Sequence, residues 1–271
     1  MIRVKIPDTH PRAESLRVRE RLIEALEAGV LTESGLIAHG RGECFDYLIG
    51  EKTQSFALRA EKAAVATLLL AEHPVISVNG NAAALCAVEL IELSSLLDAK
   101  LELNLFYRSA RREKAISKLF RKLGFEGLLG NRTQRASIRG LDGGRAKVNP
   151  KGLLIADTVM LAIEDGDRTL SLSRLGKNVI AIDLNPLSRT ASAASITIVD
   201  NILRAIPRMI ELAKDLRYRS TWELREILES YDNSKNLREA IGFIRTRLNS
   251  VSQNGSPTPN TLEREIELFR G

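Results

Sequence analysis

The chain has 271 residues, 44% of them apolar and 27% charged, enough for a packed core in one large domain or two ordinary ones. Its formal net charge of +6 suits small anions, whereas 4% aromatic residues and the lack of a long basic run argue against a nucleic-acid partner. The two cysteines, Cys44 and Cys86, lack metal-site spacing and are expected to be small buried hydrophobes; apolar runs are too short to span a membrane, and "MIRVKIPDTHPR" has no signal-peptide core, so a soluble, cytoplasmic protein is expected.

Residues 13–29 have helical periodicity, with Leu16, Leu22, Ile23 and Leu26 on one broad face and Gly29 as a stop. Arg17 and Arg21 share a face of this helix whose ordinary role is solvation, and Arg19 points elsewhere. The segment "GLIAHGRGECFDYLIG" (35–50) reads as a glycine-rich polar loop. Residues 54–72 are rich in helix formers, and His73-Pro74 ends that helix, because the residue before proline disfavours the α region. His10 and His73, each followed by proline, are read as structural.

From there the pattern alternates. Strands are expected at 75–78, 101–107, 158–163, 178–183 and 196–200, and helices at 82–97, 109–124, 167–176 and 202–217. Pro207 predicts a kink or a later start in the last of these helices. Beyond residue 218 the pattern is helical to about 251, "SQNGSPTPN" (252–260) reads as a linker, and "TLEREIELF" as a short final helix. The expected fold is α/β: a mostly parallel sheet with helices on both faces, plus helical N- and C-terminal segments. The expected unit spans 1–251, with a helical segment about 10–72, a sheet core about 73–217 and C-terminal helices about 218–251, followed by a flexible tail at 252–271.

Such sheets bind ligands beyond the carboxyl ends of their strands. Four polar segments fall there. Asn79-Gly80-Asn81 opens a small-residue helix; it is either a backbone nest for an anion or an ordinary turn capped by Asn81. The acidic "EDGDRT", with Asp165, Asp167 and Arg168, is suited to Mg²⁺ or an ammonium group, or is a solvated loop. "DLNPLSRT" supplies Asp183 and Asn185 as acceptors and Ser188, Arg189 and Thr190 as donors, and Asp200-Asn201 follows the last strand. In the 35–50 segment, His39 offers a proton exchanger and Arg41 a planar fork for phosphate or carboxylate. No P-loop, G-x-G-x-x-G, G-x-S-x-G or H-E-x-x-H pattern is present.

Taken in order, "IPDTHPRAESLRVRERL", "GLIAHGRGECFDYLIGEKT", "HPVISVNGNAAAL", "LELNLFYR", "EDGDRT" and "VIAIDLNPLSRTASAASITIVDNILRAIPRM" resemble the archaeal phosphopantothenate synthetase family, the 4-phosphopantoate–β-alanine ligases, from about residue 6 to 250. The resemblance implies a Rossmann-like homodimer that condenses 4-phosphopantoate with β-alanine in coenzyme A biosynthesis, using ATP and releasing AMP and pyrophosphate. It assigns ATP contacts to Arg19, Arg41, Asp183, Leu184, Asn185, Arg189, Thr190, Asn201 and Ile202. Cys44 and Ala162 depart from an expected small residue and a common proline.

An acyl-adenylate route explains this residue set. Two anions must meet, so Arg19, Arg41 and Arg189 would offset their repulsion, with Mg²⁺ on the phosphates. His39 would either accept the β-alanine proton or contact a phosphate. Asn79, Gly80 and Asn81, with Asp165, Asp167 and Arg168, are the expected substrate-binding set. The competing readings are another nucleotide- or sugar-phosphate-binding enzyme on the same scaffold, and a basic nucleic-acid-binding module.

Overall fold

In the computed structural model, which describes residues 6–10, 12–130, 136–141 and 146–254, three helices come first: α1 (Ala13–Glu27), α2 (Glu33–Ile49) and α3 (Ser55–Leu70). Alternation follows, with β1 (Pro74–Val78), α4 (Gly80–Leu96), β2 (Lys100–Leu103) and α5 (Ala110–Lys122). A short antiparallel pair, β3 (Ala136–Ser137) and β4 (Lys147–Val148), precedes β5 (Thr158–Ala162), α6 (Gly166–Arg174) and β6 (Asn178–Ile182). The sheet is completed by α7 (Arg189–Ala193), β7 (Ile196–Ile198) and α8 (Ile202–Leu216), after which α9 (Thr221–Glu229) and α10 (Asn233–Asn254) run along the surface.

The five main strands lie in the order β2-β1-β5-β6-β7, and every pairing is parallel. Alternate side chains divide between two cores, as the two-residue period of a strand requires. Ile76, Val78, Met160, Ala162, Ile180, Ile182, Ile196 and Ile198 enter the larger core with residues of α3, α4, α5 and α8. Val75, Val159, Leu161, Val179 and Ala181 face the other way, onto Leu172 of α6, Val148 of β4 and the loop residue Leu153. The second face is therefore covered by short helices and irregular chain.

Chain direction across the sheet reverses between β1 and β5. From β1 the crossover runs outward to β2, and from β5 it runs the opposite way to β6. Loops leaving the two carboxyl ends thus diverge and leave a crevice, the usual ligand position in open α/β sheets.

Several sequence expectations need correction. Residues 35–50 are not a loop: they form most of α2, in spite of Gly35, Gly40 and Gly42. The helix survives these glycines because it is capped at both ends: the Thr32 hydroxyl accepts from the Gly35 N–H, and Gly50 adopts a left-handed φ of 83° at the C-terminus. Cys44, expected to be buried, is exposed on this helix, whereas Cys86 is buried as expected. Strand β2 stops at Leu103, short of the expected 107. Helix α8 starts at Ile202 and continues through Pro207, so the later start is ruled out. Arg21 is not merely solvated: its guanidinium donates to the Leu85 carbonyl beside Cys86, whose φ of −140° kinks α4. Arg17 pairs with Asp8. Helix α10 extends to Asn254, three residues into the segment read as linker, and the final helix expected at 261–269 lies outside the described residues.

Candidate active site

Asparagine 79 builds the turn after β1. Its side-chain oxygen accepts from the Ala82 N–H at 3.0 Å, which makes it, and not Asn81, the cap of α4. Its amide nitrogen donates to the carbonyls of Ala162 (2.7 Å) and Ile163 (3.1 Å) at the end of β5. One side chain thus ties together the two strands that flank the crevice. Ile163 has a φ of 51°, a conformation that costs a β-branched residue strain, and these bonds hold it there.

Glycine is needed at position 80 for space, not for backbone torsion. A Cβ there would stand 2.7 Å from Nη2 of Arg112 and 2.8 Å from the Val30 carbonyl. Asn81 is 6% exposed and lines the crevice.

The crevice widens into a cleft of about 700 Å³, a common size for a small-molecule site. Its floor comes from the ends of β1, β5, β6 and β7, and α2 forms one wall. His39, Arg41, Asn79, Gly80, Asn81, Asp165, Asp183, Leu184, Asn185, Arg189, Thr190, Asn201 and Ile202, all singled out from sequence, line it. Three expected residues do not. Arg168 is 1% exposed and lies 3.7 Å from the Glu164 carboxylate, within the protein. Asp167 pairs with Arg189 at 2.7 Å on the exposed rim. Arg19 pairs with Glu43 at 3.0 Å, just behind the α2 wall.

The β6 loop is pre-shaped by Asp183, which accepts from the Asn185 N–H (2.9 Å) and the Ser188 hydroxyl (2.5 Å). Burial pushes its carboxyl up, and those two bonds and the charge of Arg41 oppose the shift. Arg41 is exposed and makes no ion pair among the described residues, so its fork is available. Burial holds His39 below its ordinary value of 6.5; Glu43, one helical turn away, partly opposes this and Arg19 adds to it. Burial therefore favours the neutral imidazole, the form able to accept a proton.

Behind the end of the cleft formed by β6 and β7 lies an ion network that the sequence did not reveal. Arg204 of α8 contacts Asp200 (2.5 and 2.9 Å) and Asp46 of α2 (2.5 and 3.1 Å). Asn201 donates to Asp46 at 2.8 Å, and Thr53 donates to Asp200 at 2.6 Å. This network fixes the α2 wall against the β7 end. Arg112 and Glu43 also line the cleft and went unrecognised, since neither carries a local motif.

Comparison with known proteins adds a family. Residues 56–247 match the family described as phosphopantothenate/pantothenate synthetase. A protein of Thermococcus onnurineus named 4-phosphopantoate–beta-alanine ligase is 56% identical, over 93% of this chain and 97% of its own length. A protein of the same name from Thermococcus kodakarensis is 54% identical over the same shares. Another so named, from Methanosarcina mazei, is 45% identical over 91% of this chain and 97% of its own.

Proposed function

Because this chain belongs to the phosphopantothenate/pantothenate synthetase family, we propose that its cleft activates a carboxylate with ATP and passes it to an amine. The protein is an amide-forming ligase of coenzyme A biosynthesis that condenses 4-phosphopantoate with β-alanine, with ATP as the activating substrate. One observation carries the site reading: of the residues assigned to ATP, all except Arg19 line a single cleft, although they come from α2 and from two separate strand ends.

In this reading Asp183, Leu184, Asn185, Asn201 and Ile202 hold the nucleoside, and Arg41, Arg189 and Thr190 meet its phosphates. A pantoate carboxylate oxygen attacks the α-phosphorus and pyrophosphate leaves. The β-alanine nitrogen then attacks the acyl carbon, and AMP departs with the bridging oxygen. Arginine forks lower the repulsion in the first step, and alignment in the cleft supplies about 7 to 11 kcal/mol of barrier reduction. Nucleotide product identity tests the route: AMP in proportion to amide supports it, and ADP would replace it with an acyl-phosphate.

His39 would take the proton of the β-alanine ammonium. The sign follows from its depressed pKa: burial favours the neutral base, which is lost as pH falls, at a lower pH than for an ordinary histidine. Wild-type enzyme should therefore show an acid limb in its pH–rate profile that His39→Gln abolishes. A lower rate with the limb unchanged would leave His39 as a phosphate contact.

Mg²⁺ would arrive on the ATP phosphates. The donor set fits such a loosely held ion: Asp165 and Asp183 line the cleft, and no cluster of three or more metal-type ligands exists among the described residues. When bound, it would neutralise phosphate charge. The substrate-binding role of Asn79, Gly80, Asn81 and Asp165 is kept, with Asp167 and Arg168 acting from outside the lining. Arg19 acts through Glu43.

The proposal also treats residues 1–251 as one ligase unit, with 252–271 outside it. Its homodimeric state has candidate surface in exposed apolar side chains such as Ile37 and Tyr218, and sedimentation velocity would read the mass directly. No helix among the described residues is long and apolar enough to cross a membrane. A cytoplasmic location is proposed from the biosynthetic role, and cell fractionation would test it.

A further inference from the structure

Five carboxylates line the cleft, and four of them hold the protein's own structure together. Glu43 accepts from Arg19 at 3.0 Å and from the hydroxyls of Ser15 and Tyr47. Asp183 shapes its own loop, and Asp200 takes Arg204 and Thr53. Asp165 caps α6 by accepting from the Arg168 N–H at 2.9 Å. Glu164 differs. Its carboxylate accepts one backbone hydrogen bond, from the Asp165 N–H at 3.1 Å. Its other oxygen, Oε2, lies 3.7 Å from Nε of Arg168, outside hydrogen-bond reach. Nε and Nη1 of that arginine are themselves buried without a hydrogen-bond partner among the described residues.

The Glu164 side chain is only 7% exposed, so its charge is poorly hydrated. Burial pushes its carboxyl up, Arg168 opposes the shift, and the neighbouring Asp165 carboxylate adds to it. A cation entering from the cleft would relieve the same penalty. The backbone holds the residue in place from both sides. Asn79 bonds the carbonyls of Ala162 and Ile163 just before it, and the Thr190 hydroxyl donates to the Glu164 carbonyl at 2.9 Å.

We infer that Glu164 receives the ammonium group of β-alanine and sets the amine against the acyl carbon. This rests on the ligase reading above. The argument is one of charge and place. ATP and the acyl substrate bring anionic groups to the cleft, which a carboxylate repels, whereas the amino end of β-alanine is a cation. Glu164 follows β5, the central strand of the five, between the β1 turn and the β6 and β7 loops read as the nucleoside end. Acyl transfer from an adenylate takes place at that junction, about 10 Å from β7 by strand spacing. The bound ammonium gives one proton to His39. Its nitrogen forms the C–N bond, the C–O bond to AMP breaks, and a remaining N–H stays on Glu164. A divalent metal suits the position less well, because it would meet twice the repulsion from the guanidinium behind and prefers an octahedral shell of oxygens.

Two measurements on Glu164→Gln test the assignment. In steady state, kcat/KM for β-alanine should fall about 100-fold, as when one partner of a buried charge pair is removed. KM for ATP and for 4-phosphopantoate should stay within about threefold. The second replaces β-alanine with hydroxylamine, a nucleophile largely uncharged at neutral pH that traps an activated acyl group as a hydroxamate. Its rate should also stay within about threefold of wild type, since a neutral amine has no ammonium to seat. Glu164→Asp keeps the charge beside Arg168 and shortens its reach; it should lose about tenfold on β-alanine alone and serves if the glutamine form does not fold. A kcat/KM for β-alanine within about threefold of wild type overturns the assignment while the ligase reading stands. Hydroxamate lost in step with amide would place Glu164 in folding or activation, and a loss repaired by added Mg²⁺ would make it a metal ligand; either overturns the proposal. Wild type that makes no amide from β-alanine fails the ligase reading itself, a result visible before any variant is compared, and the proposal falls with it.

Discussion

Arg41→Ala should lower kcat for amide formation by about 100- to 1,000-fold, the usual loss when one donor to a developing oxyanion is removed. Arg41 stands on α2 at the cleft wall, and its charge reaches Asp183 across the opening. No carboxylate pairs with it among the described residues, so its fork is not committed elsewhere. In the proposed acyl-adenylate route, charge that Arg41 would meet grows during attack on the α-phosphorus, so the loss should fall mainly on kcat. Stability should change by less than about 0.5 kcal/mol, because the side chain is exposed. Steady-state kinetics beside a thermal melt separates these effects. Turnover within about threefold of wild type would remove Arg41 from the reacting phosphate.

Arg204→Met should destabilise the fold by about 3 to 5 kcal/mol, the cost of leaving buried charge without its partner. The side chains of Asp46 and Asp200 are 8% and 0% exposed, and both lean on this one guanidinium. Burial disfavours the arginine's charge, and the two carboxylates overcome that and raise its pKa. Without Arg204, two carboxylates from α2 and the β7 end would face each other. For a chain of this size the loss corresponds to a melting point lower by about 10 °C. Asn201, held by Asp46, would lose its orientation, so KM for ATP should rise as well. Replacing Asp46 with Asn in the same chain should restore part of the stability, because one of the opposed charges is gone. A loss under about 1 kcal/mol would mean that water already screens the network.

Much of the sheet was legible because fully buried parallel strands are short apolar runs between helical patterns. "VISV", "TVMLAI" and "NVIAID" are such runs, and each sits within a residue or two of its expected place. Local polarity at strand ends also located Asn79, Asp183, Asn185 and Asn201, since the topology brings every carboxyl end to one rim. Helix α2 was misread because glycine lowers helix propensity by about 1 kcal/mol per residue, and three fall in this stretch. Its two caps, Thr32 and Gly50, were the available counter-signal. Arg168 shows the opposite failure. Its charge suggested a substrate contact, yet Glu164 at i−4 gives it a partner inside the protein. The Arg204 network and Arg112 were invisible for a different reason. Each depends on residues far apart in the chain, Asp46 with Arg204 and Val30 with Arg112, and no local pattern encodes such meetings.

The acyl-adenylate step is the claim on which the assigned roles of Arg41, Arg189 and His39 rest. Its most direct test follows oxygen. With 4-phosphopantoate carrying ¹⁸O in both carboxylate oxygens, mass spectrometry of the products should find one labelled oxygen in each AMP and none in pyrophosphate. Unlabelled AMP, or label carried into inorganic phosphate alongside ADP, would contradict the route.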